Sequence, residues 1–316
     1  MGGNLFDNNR RMDSKEDFND VLTKQTLLFK EVANLISPRL LGDKQSFGDI
    51  DLVYDNQYTQ AIKDVLKQIG YPTHQNGTII SYQTPDLVQI DLISIPQDKI
   101  DFAVNYFSFG DHGNILGRLL KQLYLKHTFL GLKYEFKRDN GSYQRDFLLT
   151  DNYDDVLELL GLDKQQFHVG FDTQFDIFEW IYQSPFMDSK RFEFDNLNHK
   201  NRMRDRKRKF YNSWLDFLAD KPKAPSETFL QKERDNLTHK FPMLSDNLAN
   251  VEYEYNKTKA IKQKFNGEIV SSITGLKGVE LGKFMKAFKA IHTNDELYSL
   301  AADDIKALIN SFSTTR

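Results

Sequence analysis

The sequence predicts an α+β protein, a small mixed sheet with helices followed by a mainly helical region. Three observations predict it. Apolar residues between Phe18 and Ile36 recur at helical spacing. The stretches Asp49 to Tyr54 and Leu87 to Ile95 carry the alternation and apolar runs of strands. Beyond residue 152 nearly every segment is helical in pattern.

The elements follow in order. Ser14 reads as a helix N-cap with Glu16 and Asp17 in the first turn. Phe18, Val21, Leu22, Leu28, Phe29, Val32, Leu35 and Ile36 form one stripe, so a helix is expected over 15–36, with Gln25 its one polar gap and Pro38 its end. A Gly-containing loop, 42–48, leads into a strand over Asp49-Ile50-Asp51-Leu52-Val53-Tyr54. Tyr58 to Ile69 reads as a second helix, closed by Gly70 and Pro72. Thr78 to Tyr82 and Leu87 to Ile95 read as two further strands divided by Thr84-Pro85-Asp86. Next come a helix over Asn114 to Phe129 and a hairpin, Leu132 to Phe136 and Tyr143 to Leu149, turning at Asn140-Gly141. Helices are then expected over 152–160, 173–184, 200–218, 226–236, 243–264, 276–290 and 294–311, with Lys221-Pro222-Lys223-Ala224-Pro225 as a linker. The implied organisation is a loose tail over 1–13, a catalytic α/β unit over 14–107, a mixed central region over 108–220 and a helical C-terminal region over 226–316.

Composition narrows the function classes. The chain has 316 residues, 40% hydrophobic and 28% charged, with 25 Phe and 14 Tyr, enough for two or three packed units. A net charge of −3 gives no global case for nucleic acid, so any such surface must be local. No Cys is present, which excludes disulfides, thiolate metal sites and Cys nucleophiles. The polar first twenty residues lack a signal-peptide core, and no run approaches the roughly 18 apolar residues of a membrane span, so a cytoplasmic protein without membrane partners is expected. Neither Gly-x-x-x-x-Gly-Lys-Ser/Thr nor Gly-x-Ser-x-Gly occurs, and the seven His residues show no metal-type spacing.

The chemistry-bearing pattern is acidic. Asp49 and Asp51 are two apart on a strand and so share a face. Asp91 lies in a second strand of the same type, and pairing the two strands would bring three carboxylates together. Crowded carboxylates raise one another's pKa unless a cation sits between them. A lone Asp-x-Asp reads as a surface strand with solvated acids, but the flanks Ile50, Leu52, Val53, Ile90, Leu92 and Ile93 point to buried strands. Three hard oxygen donors suit Mg²⁺, and two such ions can assist an in-line phosphoryl displacement.

The stretch Gly42-Asp43-Lys44-Gln45-Ser46-Phe47-Gly48-Asp49-Ile50-Asp51-Leu52-Val53 resembles the active-site segment of the DNA polymerase beta-like nucleotidyltransferase superfamily, closest in flavour to its tRNA- and RNA-tailing members. The resemblance covers 36–95. It implies a nucleotidyltransferase-type sheet and transfer of a nucleoside monophosphate from a nucleoside triphosphate such as ATP to a hydroxyl. Two Mg²⁺ ions, with Mn²⁺ as an alternative, would assist. Asp49 and Asp51 would be shared by both ions, Asp91 would orient the attacking hydroxyl, and Lys44, Ser46 and Gly48 would lie along the phosphates. One departure stands out: where the family carries Gly-Ser, this chain has Ser37-Pro38-Arg39, and Pro38 has no N–H to offer a phosphate. Ser37 or Arg39 would have to substitute.

Other segments extend that reading. Ser108 to Asn114 is a Gly-containing turn into a helix, ordinarily a plain cap. Asn114 and Arg118 share a helix face and would read base or sugar. Between Lys200 and Lys209 stand seven cations and one acid, including Arg202, Arg204, Arg206, Lys207 and Arg208, followed by Phe210, Tyr211 and Trp214. A basic run beside aromatics is a footprint for nucleic acid, against the plainer reading of a solvated helix with inward aromatics. Thr274 to Lys283, a glycine-lysine turn into a helix, faintly resembles the tail of tRNA nucleotidyltransferases. The expected partners are a nucleoside triphosphate and the 3′ end of an RNA such as tRNA. The rival expectations are transfer to a protein hydroxyl, as in toxin-antitoxin nucleotidyltransferases, a DNA-repair polymerase, and a catalytically degenerate nucleic-acid-binding module.

Overall fold

A computed structural model describes Gly3 and residues 5–314. It is an α+β fold with a helical C-terminal region. In chain order the helices are α1 (Lys15–Phe29), α2 (Thr59–Ile69), α3 (Ile100–Phe107), α4 (His112–Leu120), α5 (Tyr153–Leu159), α6 (Lys164–Val169), α7 (Gln174–Tyr182), α8 (His199–Asp205) and α9 (Lys209–Leu218), then α10 (Glu227–Asp235), α11 (Leu237–Lys240), α12 (Met243–Lys264), α13 (Gly267–Thr274), α14 (Gly278–Ile291), α15 (Asn294–Ser299) and α16 (Ala302–Thr314). The strands are β1 (Asp49–Asp55), β2 (Thr73–Asn76), β3 (Ile79–Gln83), β4 (Gln89–Ile95), β5 (Leu125–Thr128), β6 (Gly131–Arg138) and β7 (Tyr143–Thr150). They make a four-stranded sheet in the order β1-β4-β3-β2 and a three-stranded sheet β5-β6-β7. β1 and β4 are parallel, while β3 runs antiparallel to both β4 and β2.

Two compact units emerge: Met1–Phe136 with Asp146–Phe241, and Lys137–Arg145 with Pro242–Arg316. In the first, Ile50, Leu52, Ile80, Tyr82, Ile90 and Leu92 make one apolar sheet face, packed with Phe18, Val21 and Phe29 of α1 and Ile62 and Leu66 of α2. On the other face Val53, Ile93 and Ile95 pack with Ala103 of α3. The second unit buries Ile261, Phe265, Val270, Phe284, Phe288, Leu297, Ile305 and Ile309 in its own core. The hairpin tip belongs to it because Tyr255 of α12 donates to Asp139 at 2.8 Å and stacks edge-on with Tyr143.

Several elements differ from the expectation, each for a local reason. α1 is capped by Ser14 as expected but stops at Phe29 instead of residue 36. Ile36 instead pairs with Val53 on the free edge of β1, through N–H···O bonds of 2.9 and 2.8 Å. Leu35 is still buried, so the apolar stripe is satisfied without a longer helix. The polar gap Gln25 is buried and accepts from the Tyr82 hydroxyl at 2.8 Å. The helix expected over 114–129 ends at Leu120, and Tyr124 takes a left-handed conformation before β5. The helix expected over 200–218 breaks at Arg206–Arg208, which lets Asp205 and Arg208 turn to Arg118 and Asp111. The 221–225 linker is tied down: Ser189 and Lys223 exchange hydrogen bonds of 2.8 and 3.0 Å, and Lys223 Nζ donates to the Tyr182 and Ser184 carbonyls. The unit boundary falls after Phe241.

The N-terminal residues are also not loose where they are described. Met12 is fully buried and pairs with Phe47 in an antiparallel bridge just before β1. Arg10 donates its N–H to the Leu87 carbonyl at 2.9 Å and forms an ion pair with Asp17. The segment is therefore a strap lying along the start of β1 and β4.

Candidate metal centre

The register of the sheet builds the site. Asp51 pairs with Asp91 and Asp49 with Gln89 across the parallel β1–β4 ladder. Across β3–β4, Ser81 pairs with Asp91 and Gln83 with Gln89. Paired residues project to the same face of a sheet. That face therefore carries two polar rows, Asp49-Gln89-Gln83 and Asp51-Asp91-Ser81. Beyond them it turns apolar at Val53, Ile93 and Ile95. On this face Val53, Ile93 and Ile95 are buried, whereas Asp49 and Asp91 are half-buried and Asp51 is exposed.

Carboxylate oxygens of Asp49, Asp51 and Asp91 lie within 4.8 Å of one another, a grouping that could hold a metal ion. Asp49 and Asp91 are half-buried and Asp51 is exposed. The Asp51 carboxyl is pushed up to about 8, first by the protein crowded around it, then by Asp49 and Asp91, with Lys44 opposing. Water still reaches Asp51, so repulsion from its two neighbours is the firmer of these causes. Asp49 is also raised, by burial and then by Asp91, while Lys44 and the Gly3 backbone N–H pull the other way. Lys44 is the cation of the site. Crowding lowers its pKa against the pull of Asp49 and Asp51, and its ammonium sits 4.8 Å from the centre of the Phe47 ring. All donors are hard oxygens held on a rigid ladder, which fits a divalent cation that keeps some of its water.

The remaining expected site residues divide. Gly48 is overlaid by Gly3, so closely that a Cβ on Gly3 would meet the Gly48 carbonyl oxygen at 1.9 Å. Ser46 accepts from Arg11 Nε at 3.0 Å. Ser37 only approaches its neighbouring Pro38 carbonyl at 3.3 Å. Arg39 is committed to the fold: its guanidinium donates to the Phe167 and His168 carbonyls and to Asn105, between the rings of Phe109 and Phe167. Its own N–H goes to Ser108 Oγ at 3.0 Å. Arg118 is buried, ion-paired with Asp205 and stacked over Tyr211. Asn114 accepts from Arg204 at 2.7 Å.

In the basic run, Arg202 caps the Leu197 carbonyl, Arg204 binds Asp205, Arg208 pairs with Asp111 and Arg206 lies over Phe194. Lys200, Arg204, Arg206, Lys207 and Lys209 remain exposed, whereas Tyr211 and Trp214 are fully buried and cannot stack on a base. The Ser108 to Asn114 turn is a plain helix entry whose Asp111 is paired with Arg208. Asp111 also raises Asp51 electrostatically, so the start of α4 lies on the acids' side.

Sequence reasoning missed Gln89 and Gly3. Gln89 donates to both Asp91 oxygens, at 2.9 and 3.1 Å. Its position two residues before Asp91 on a strand was a usable signal; nothing in the sequence marked Gly3. A cavity of about 860 Å³ is lined by Arg39, Asp163, Asp172, Asp176, Glu179 and Trp180 among others, and none of the three acids lines it. No known family matches the chain, and no significant match appears among curated proteins.

Proposed function

We propose that this protein is a metal-dependent nucleotidyltransferase that moves a nucleoside monophosphate from a nucleoside triphosphate to a hydroxyl at the 3′ end of an RNA, such as tRNA. The observation that carries the reading is the convergence of Asp49, Asp51 and Asp91 within 4.8 Å on adjacent parallel strands with Lys44 beside them. Carboxylates this close repel one another and gain from a bound cation. Asp49, Asp51 and Asp91 would hold Mg²⁺, whose role when bound is to neutralise the phosphate oxygens and lower the pKa of the attacking hydroxyl.

The chain's own contributions are positional. The acceptor oxygen forms a bond to the α-phosphorus as the bond from that phosphorus to the bridging oxygen breaks, releasing pyrophosphate. Asp91 orients the hydroxyl and accepts its proton. Lys44 is the cation assigned to the phosphates. Arg39, held by carbonyls and aromatic rings, is not available for that task. The exposed cations of α8 and the start of α9 support an RNA acceptor through its phosphates, without base stacking.

The test is incorporation of labelled nucleotide from each triphosphate into mixed RNA with Mg²⁺. The parent is expected to label RNA, and Asp49→Asn and Asp51→Asn are expected to lose at least a hundredfold. Equal labelling by the variants, or no incorporation by the parent with any triphosphate, would remove the reading. Label on protein instead of RNA would keep the chemistry and replace the acceptor.

A further inference from the structure

The strap over Gly3 and residues 5–13 is joined to the acidic site by a chain of amides whose orientations are fixed at each link. Gln89 is buried. Its side-chain oxygen accepts from the Leu5 backbone N–H at 3.0 Å. A backbone N–H can only donate, so the atom facing it must be Oε1, and Nε2 must face Asp91. Nε2 donates to both Asp91 oxygens, at 2.9 and 3.1 Å. Asn9 is fixed by the same logic: its Nδ2 donates to the Gly3 carbonyl at 3.0 Å and to Gln89 Oε1 at 3.1 Å, leaving Oδ1 to accept from Gln83 at 2.5 Å. Every donor in this chain has an acceptor, and the final donation falls on a carboxylate.

From this geometry we infer that Gln89 is a positioning residue for the metal centre, setting the orientation of Asp91, with the Leu5 backbone N–H fixing which end of the amide faces that carboxylate. This rests on the reading of the three acids as a cation site. An aspartate carboxylate, two torsions from its backbone, can turn its oxygens toward or away from Asp51. Two hydrogen bonds from one amide nitrogen hold it in one plane and use one lone pair on each oxygen, leaving the other for a cation. Partners of this kind behind a ligating carboxylate typically change metal affinity by about 10–100-fold when removed. The same strap lies beside Asp49, with Gly3 packed against the carbonyl of the preceding Gly48.

The experiment measures Mn²⁺ binding to the full chain by calorimetry and by the electron paramagnetic resonance of free Mn²⁺. Gln89→Met keeps the volume and removes both ends of the amide. It is expected to weaken Mn²⁺ binding at least tenfold. Asn9→Ala loosens the strap but leaves the Gln89–Asp91 bonds, and is expected to stay within threefold of the parent. A merely structural role for Gln89 would move the two variants together, and that outcome overturns the inference, as does parent-like binding by Gln89→Met. Should Gln89→Met not fold, Gln89→Leu also removes both ends of the amide without adding charge, and the same loss is expected. If the parent itself binds no Mn²⁺, the cation site falls, and this inference with it. If the parent binds and only the Gln89 variants are unaffected, the cation site stands and this inference alone fails.

Discussion

Asp51 has two carboxylates as neighbours and one lysine, and its behaviour in the absence of metal follows from that imbalance. Its folded pKa lies above its unfolded value, so the protein is favoured at low pH by this group and loses that contribution as pH rises toward about 8. Removing the charge should therefore stabilise the metal-free protein at alkaline pH. Asp51→Asn is expected to raise Tm at pH 8.5 by about 2–4 °C, corresponding to about 1 kcal/mol once solvent screening of an exposed carboxylate is allowed for. The same variant should lose the Tm increase that Mg²⁺ or Mn²⁺ gives the parent. A lower metal-free Tm with an intact metal response would show that Asp51 is a structural acid. The triad was legible at this scale because strand periodicity of two places Asp49 and Asp51 on one face, and the register then sets Asp91 opposite Asp51. Gln25 and Arg39 were not legible in the same way. A polar residue in an apolar stripe does not announce the Tyr82 hydroxyl that satisfies it, and an arginine after Pro38 does not announce the carbonyls of Phe167 and His168, which lie far away in sequence.

The helices that follow α4 illustrate why charge in a sequence does not translate directly into charge on a surface. The run from Lys200 to Lys209 contains a single acid, Asp205, and that acid is fully buried against Arg118. Its removal would leave Arg118 enclosed without its anion. Asp205→Ala is expected to cost about 3–5 kcal/mol, read from the denaturant midpoint at constant m-value. Arg206→Ser and Lys207→Ser, both at exposed positions, should each change stability by less than about 0.5 kcal/mol. If this face binds RNA as proposed, each should also reduce the slope of log affinity against log salt by roughly 0.7. An unchanged salt slope in both would move the RNA elsewhere. Elements with clear periodicity were read well: α12 occupies the expected span, and the hairpin around Asn140-Gly141 forms with Asp139, Asn140 and Gly141 all at positive φ. β2, with every residue of Thr73–Asn76 exposed, carries no apolar alternation, and its pairing with β3 was invisible for that reason. The strap was misread because its composition is that of a loose tail, whereas one buried Met12 and a ladder of backbone bonds hold it.

The two units have separate cores, so a pH effect on the first is set by its own buried groups, and these act in opposite directions. His112 is fully buried and shares a hydrogen bond with the Tyr153 hydroxyl, and burial lowers its pKa to about 3. His127 is only half-buried as a residue, yet its Nε2 is enclosed with no hydrogen-bond partner among the described residues; burial lowers it to about 4. Both remain neutral in the folded chain while the unfolded chain protonates them below about 6.5. Between about pH 6.5 and 4 the unfolded state therefore binds up to two more protons at these sites, and stability falls by up to about 2.7 kcal/mol per pH unit as acid is added. Asp51 runs the other way: over the same range and on to about 8 its folded form holds the proton more tightly, so it subtracts stability as pH rises. Below pH 6.5 the two histidines outweigh Asp51 and Asp49, whose raised values are screened by the water that reaches them, and above it only these acids act. The metal-free protein should accordingly have its Tm maximum near pH 6.5, with a steep acid limb and a shallow alkaline one. Saturating Mg²⁺ should flatten the alkaline limb, because the ion replaces the proton between the carboxylates, and leave the acid limb in place. Replacing His112 and His127 together by Gln and Asn should flatten the acid limb instead. A pH–Tm profile that Mg²⁺ shifts uniformly, or an acid limb that survives loss of both histidines, would show that these groups do not govern the stability of the unit that carries the site.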